Sequence, residues 1–270
     1  MSALKGIKVI DLSRVLAGPS CSQVLADLGA DVIKIERPEI GDETRHWAPP
    51  SFNDGTSAYF ATVNRNKRSL TLDFTKPQGQ AVLKHLIQDA DILVENFKVG
   101  NLAKYGLDYA SVKAINPRII YASLTGFGQT GPDASKAGYD YIIQGLSGLM
   151  SITGDPNGEP QKVGVAVVDL FAGMQLTSGI LAALVARQQT GQGQHVDVAL
   201  MDSAVAMLAN VGMNYLANHQ PAKRLGNAHP NIVPYQVFSG ADGEFILACG
   251  NDKQFREVCQ VMGQNWDKDA

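Results

Sequence analysis

Ile7-Lys8-Val9-Ile10-Asp11-Leu12, Gly18-Pro19-Ser20 and Asp31-Val32-Ile33-Lys34-Ile35-Glu36 decide the fold. The first and last of these runs are rich in β-formers. Between them, Gln23-Val24-Leu25-Ala26-Asp27-Leu28 has the pattern of a helix entered through Gly-Pro-Ser and stopped by Gly29. Strand, helix and strand fit into roughly 30 residues, the length of a βαβ crossover, so the two strands run parallel.

The same alternation continues outward. Pro77 to Asp89 reads as an amphipathic helix with Pro at its start, Asp91 to Glu95 as a strand, and 102–115 as two short helical pieces. Arg118 to Leu124 is a buried strand, and Val163 to Val168 is an apolar β-like run. A long helix is expected from Asp169 to Thr190, with Gly191-Gln192-Gly193-Gln194 breaking it. His195 to Leu200 then reads as a strand and Met201 to Leu216 as a helix. The expected class is α/β, with an open Rossmann-like parallel sheet in a large domain over residues 1–217. A polar linker rich in Pro and Asn follows over 218–234. Residues 235–270 hold a hairpin around Asp242-Gly243 and a helix from Lys253 to Met262. Two strands and one helix make a marginal unit, so this smaller α+β domain reads as incomplete.

Composition narrows the function. The 270 residues carry 23 Lys and Arg against 26 Asp and Glu, a net charge of −3. That balance excludes a nucleic-acid coat and a polybasic membrane anchor. Three cysteines, Cys21, Cys249 and Cys259, form an odd and sparse set, which points to a reducing, cytoplasmic compartment. Their spacing matches no zinc motif, and no metal is expected. The most apolar helical stretch, Gly179 to Ala186, is far shorter than the roughly 20 residues of a membrane span.

Three features carry candidate chemistry. Gly126-Phe127-Gly128-Gln129-Thr130-Gly131 is literally G-x-G-x-x-G after a strand, but Pro132-Asp133 follows where a dinucleotide fingerprint needs a helix, so a flexible Gly-rich loop is expected. Of the 23 Lys and Arg, 15 fall in residues 1–135. Arg37 lies just past a parallel strand, and Asn64-Arg65-Asn66-Lys67-Arg68 gathers three cations. They are suited either to clamping phosphates or to a solvated surface. Asp169 stands where a long helix begins, which favours its ionised form. It is either a plain helix N-cap or a nucleophilic carboxylate.

Eight segments in order resemble one family. They are Gly6 to Pro19, Leu28 to Pro38, Asn66 to Ser69, Asp91 to Phe97, Asn116 to Tyr121, Gly126 to Pro132, Asp169 to Met174 and Thr190 to Gln194. Together they resemble the class III CoA-transferases, which include formyl-CoA and carnitine CoA-transferases. The resemblance implies that CoA passes from an acyl-CoA thioester to a free carboxylic acid. It makes Asp169 the covalent residue, working through aspartyl anhydride and aspartyl-CoA thioester intermediates. It also implies CoA contacts at Val15, Leu16, Ala17, Arg37, Lys67, Arg68, Leu72, Asn96, Phe97 and Lys104, with Tyr139 lining the site. CoA is then a substrate, with no permanently bound cofactor. Leu16 stands where formyl-CoA transferases carry Gln, and Lys104 where some relatives carry Arg.

The resemblance further implies an interlocked homodimer, and chains longer than this one, so the sequence reads as truncated at its C-terminus. α-Methylacyl-CoA racemases share the fold but place a His in a Gly-His-Asp motif. Here the matching run is Gly138-Tyr139-Asp140-Tyr141, and a tyrosine, with a pKa of about 10, is no neutral-pH base. A non-catalytic CoA-binding fragment is the remaining alternative. Gly226-Asn227-Ala228-His229-Pro230 reads either as a border of the acyl site or as a linker turn.

Overall fold

In the computed structural model, which describes residues 2–266, the opening βαβ unit forms from β1 (Lys8–Asp11), α1 (Ala17–Asp27) and β2 (Asp31–Glu36). The chain continues through α2 (Ala58–Thr62), β3 (Lys67–Thr71), α3 (Pro77–Gln88), β4 (Ile92–Glu95), α4 (Tyr109–Ile115) and β5 (Ile120–Thr125). Next come α5 (Asp140–Leu146), α6 (Leu149–Ile152), α7 (Val167–Thr190), β6 (His195–Ala199), α8 (Leu200–Met207) and α9 (Ala209–Asn218). A hairpin of β7 (Tyr235–Ser239) and β8 (Glu244–Ala248) precedes α10 (Asp252–Val261).

Strands β1 to β6 make a parallel sheet in the order β3-β2-β1-β4-β5-β6. Every residue of β4 and β5 is buried. That is why these central strands read as near-continuous apolar runs rather than as alternating patterns. Leu83 and Ile87 of α3 and Val112 of α4 pack with Leu93 and Ile119 into the core on one face. The order of connection reverses between β1 and β4, and this switch point opens a crevice at the carboxyl ends of both strands.

Three expectations change. Val163 to Val168 is not a strand. It finds no ladder partner among the described residues, Val165 is exposed, and the chain turns directly into α7 at Val167. The helix expected over 201–216 is two helices, broken where Ala209 takes a φ of +46°. The division of the chain also differs from a boundary at 217 followed by a linker. One compact unit runs to Ser147 and resumes over Gly164–Met207; the other holds Gly148–Val163 and the chain from Leu208 onward. Arg224 ties the second unit together by donating to the carbonyls of Ser151 (3.3 Å), Asp155 (3.1 Å) and Gly158 (2.8 Å). The 226–230 loop belongs to that unit, where Gly226, Ala228 and Pro230 line a cavity of about 240 Å³.

α7, at 24 residues, exceeds the Gly179 to Ala186 stretch and is long and apolar enough to cross a membrane by length and composition. It packs against α1, β5 and β6, with Ala172, Leu176, Ile180 and Ala183 buried.

Candidate active site

Two adjoining cavities occupy the carboxyl ends of the strands. The first, about 540 Å³, lies over β1, β2 and β3 and is lined by Arg37, Pro38, Leu72, Phe74 and Lys104, among others. The second, about 410 Å³, lies at the switch point and is lined by Val15, Leu16, Ala17, Asn96, Tyr139 and Asp169. Arg14, Phe97 and Asn101 line both, so the two form one groove. Ten of the twelve residues singled out from the sequence line this groove.

Lys67 and Arg68 do not. They stand at the amino end of β3, paired in register with Val32 and Ile33; the Arg68 side chain stays at that end, while that of Lys67 extends to Asp11, the last residue of β1. The Lys67 ammonium is buried against the Asp11 carboxylate (3.1 Å), the Pro19 carbonyl (2.8 Å) and Asn64 Oδ1 (3.1 Å). Arg68 makes an exposed pair with Asp31 at 2.6 Å.

Asp169 is the third residue of α7 and lies partly exposed on the cavity wall. It is not the helix cap, because the N-cap position is Ala166, which has no capping side chain. Asp140, at the start of α5, does that work from another element. Its Oδ1 accepts from the Val168 amide (2.8 Å) and the Asp169 amide (3.2 Å), and its Oδ2 accepts from Gln144 Nε2 (2.6 Å). Burial and the Asp140 charge push the Asp169 carboxyl up to about 7. The helix dipole, worth at most about 2 kcal/mol, is outweighed, and the expected preference for the ionised form is overturned. Near neutral pH both forms of Asp169 are populated.

Close backbone contacts bring these groups together. A Cβ on Gly173, one turn beyond Asp169, would lie 2.7 Å from the Ala17 carbonyl oxygen. Glycine there lets α7 approach the start of α1. A Cβ on Gly126 would lie 2.6 Å from Gly138 Cα, so the two glycines let the 126–139 loop close back beside β5 and deliver Tyr139 and Asp140. The G-x-G-x-x-G run is therefore part of a loop, with no helix before α5.

Further groups here carried no sequence signal of their own. Arg14 bonds Glu43 and lies over the Phe97 ring at 4.9 Å. Glu43 also accepts from Arg37 at 3.2 Å, linking the two cavities. Trp47 lines the inner cavity and meets Tyr59 edge-on at 4.9 Å. Burial and the charges of Asp169 and Asp140 raise the Tyr59 phenol. Asp140 lay in plain view two residues from Gly138, but its capping of a helix 28 residues onward is a tertiary fact.

An open parallel sheet with a two-part groove at its switch point, ending at a protonatable carboxylate, defines a doubly wound α/β protein for an extended ligand. The chain belongs to CoA-transferase family III, whose sequence profile matches residues 4–270. It is 56% identical over 265 residues to a succinate–glutarate CoA-transferase of Agrobacterium fabrum, covering 96% of this chain and 66% of that one. It is 47% identical to a succinyl-CoA:glutarate CoA-transferase of Mus musculus, covering 97% of this chain and 60% of that one. The crystal structure of a CAIB/BAIF family protein from Brucella suis superposes with a TM-score of 0.88 at 54% identity, covering 97% of this chain and 70% of that one. The chain thus spans 60–66% of the length of these two curated relatives.

Proposed function

We propose that this chain is the CoA-binding and nucleophile-bearing part of an acyl-CoA:carboxylate CoA-transferase. The observation that carries the reading is the placement of Asp169 in the inner cavity of a groove long enough for an extended ligand. The nucleotide end of CoA is assigned to the outer cavity, with Arg37, Leu72 and Lys104. The pantetheine arm runs past Asn96 and Phe97 to Val15, Leu16 and Ala17, and the acyl group lies by Tyr139 and Asp169. Lys67 and Arg68 have structural roles instead.

In this mechanism the Asp169 carboxylate attacks the thioester carbonyl. A C–O bond forms, the C–S bond breaks, and CoA leaves as thiolate from a mixed anhydride. The thiolate attacks the aspartyl carbonyl, releasing the donor acid as its carboxylate and leaving an aspartyl-CoA thioester. The acceptor carboxylate attacks that thioester and expels thiolate again. Thiolate then attacks the acceptor's acyl carbon, giving the new acyl-CoA and restoring Asp169. One difficult exchange becomes four near-balanced ones.

The relatives' names point to dicarboxylic acids such as succinate and glutarate. Arg14 and Lys136, both on the inner cavity, supply cations for a distal carboxylate. The three free, buried thiols accord with a cytoplasmic setting. An interlocked homodimer remains the expected assembly of the whole protein.

The test is transfer itself. The chain is incubated with succinyl-CoA and labelled glutarate, and label is expected in glutaryl-CoA. Deuterium wash-in at the α-carbon without acyl exchange would select a racemase instead. CoA binding without either reaction would leave a binding module.

A further inference from the structure

We infer that Asp42 is a positioning residue that holds the Ser13–Ala17 turn in its binding shape from outside the turn. The inference rests on the CoA reading for its consequence, but its geometry stands alone. Val15 has a φ of +71°. A β-branched residue rarely takes that conformation, and one that does must be held there by its surroundings.

The polar backbone groups of the turn show what holds it. The Ser13 amide donates to Asp11 Oδ1 (2.9 Å), and the Ser13 carbonyl accepts from Lys34 Nζ (2.8 Å). Asn96 grips Arg14 from both sides, accepting from its amide (2.9 Å) and donating to its carbonyl (2.8 Å). The Val15 amide donates to the Asp42 carboxylate, at 3.2 Å to Oδ2 and 3.4 Å to Oδ1. Every one of these partners is a side chain from β1, β2 or the loops after β2 and β4.

Asp42 is the clamp on the strained residue itself, and it is locked in turn. Its Oδ2 pairs with Lys34 Nζ at 2.9 Å, with both side chains at most 2% exposed. Its Oδ1 accepts from the Thr44 amide (3.0 Å) and hydroxyl (2.8 Å). A buried, fully bonded ion pair of this kind fixes one geometry. It aims Leu16 and Ala17, the entry of α1, at the cavity that also holds Asp169. Glycine at position 15 would meet this backbone without help; here valine meets it because Asp42 imposes it.

That contrast supplies the test. In the full chain, Asp42→Ala is compared with Asp42→Ala/Val15→Gly, reading CoA affinity by calorimetry and exchange of the Val15 amide hydrogen. Asp42→Ala is expected to weaken CoA binding about tenfold and to speed exchange by a similar factor. Adding Val15→Gly is expected to return most of the affinity, since glycine reaches the left-handed region unaided. A general loss of stability would lower both variants alike. Parent-like binding by Asp42→Ala, or a double variant no better than the single, overturns the inference. Should Asp42→Ala fail to fold, Asp42→Leu, which removes both acceptor oxygens but fills the space, carries the same comparison. If the parent chain binds no CoA, the functional reading falls, and unchanged exchange at Val15 in the Asp42 variant is then what overturns the clamp.

Discussion

The two halves of the sheet both bury carboxylates, but only one half neutralises them. In the half formed by β1, β2 and β3, Asp11 is completely buried, which by itself raises its pKa. The charges of Lys67 and Lys34 and the hydroxyls of Ser13 and Ser22 outweigh burial and bring it to about 2. Glu36 is likewise held at about 2, because Arg45, Ser69 and the Asp42 amide outweigh its burial. In the other half, burial pushes Glu95 up to about 7 against the Ser123 hydroxyl and the Phe97 amide, with the Asp197 charge adding to the rise. Asp169 reaches about 7 by burial and the Asp140 charge. Neither has a cation among the groups that shift it. Paired carboxylates hold the scaffold and the Ser13–Ala17 turn; under the proposed function, an unpaired one keeps the free energy of desolvation as reactivity.

The comparison breaks first at Asp169. Asp169→Asn is expected to reduce transfer on the order of a thousandfold or more, measured by label exchange at saturating substrate. Near-normal transfer would remove the chemical meaning of the unpaired half.

Asp11→Asn tests the paired half. It strands the buried Lys67 ammonium beside a neutral group, while Lys34 keeps Asp42, and a loss of about 3–5 kcal/mol is expected in urea unfolding at pH 7. Because the folded pKa of Asp11 is depressed, its contribution is present above the unfolded value. It fades as pH falls from 3.8 towards about 2.

The same substitution at Asp169 acts oppositely on stability. A folded pKa of about 7 means that ionising Asp169 penalises the folded state. The penalty is absent below the unfolded value and grows until pH passes about 7. Asp169→Asn is therefore expected to stabilise the chain by roughly 2 kcal/mol at pH 8, allowing for residual solvent at the group, and by less at pH 5. A destabilised variant at pH 8 would contradict the unpaired reading.

Asp140→Asn sharpens the picture with the smallest effect. Asparagine still accepts from the Val168 and Asp169 amides but carries no charge. The alkaline rise of kcat/KM, expected near pH 7, is expected to move down by about one unit. An upward or absent shift would show that Asp140 does not raise Asp169.

Much of this was readable from the sequence, for physical reasons. Ile92-Leu93-Val94 and Ile120 to Thr125 announce central parallel strands because burial on both faces demands apolar runs. The turn after β1 and the start of α7 mark the switch point because strand ends and helix starts leave local signatures. What was hidden depends on contacts distant in the chain. Lys67 and Arg68 look like phosphate ligands in sequence, yet the Lys67 ammonium is taken up by the buried Asp11 and Arg68 pairs with Asp31 at the amino end of β2. Gly148–Val163 joins the second unit through Arg224, with no change of composition to betray it. Asp169 looked like an ionised helix-start residue, but the fold buries its carboxyl and sets Asp140 beside its helix.

The most direct measurement is chemical trapping at Asp169. The full chain is mixed with succinyl-CoA, quenched with borohydride and mapped by peptide mass spectrometry. Reduction of Asp169 to homoserine is expected, with Asp11 and Glu36 untouched. Substrate turnover with no reduced carboxylate, or with reduction at another one, would contradict Asp169 as the nucleophile.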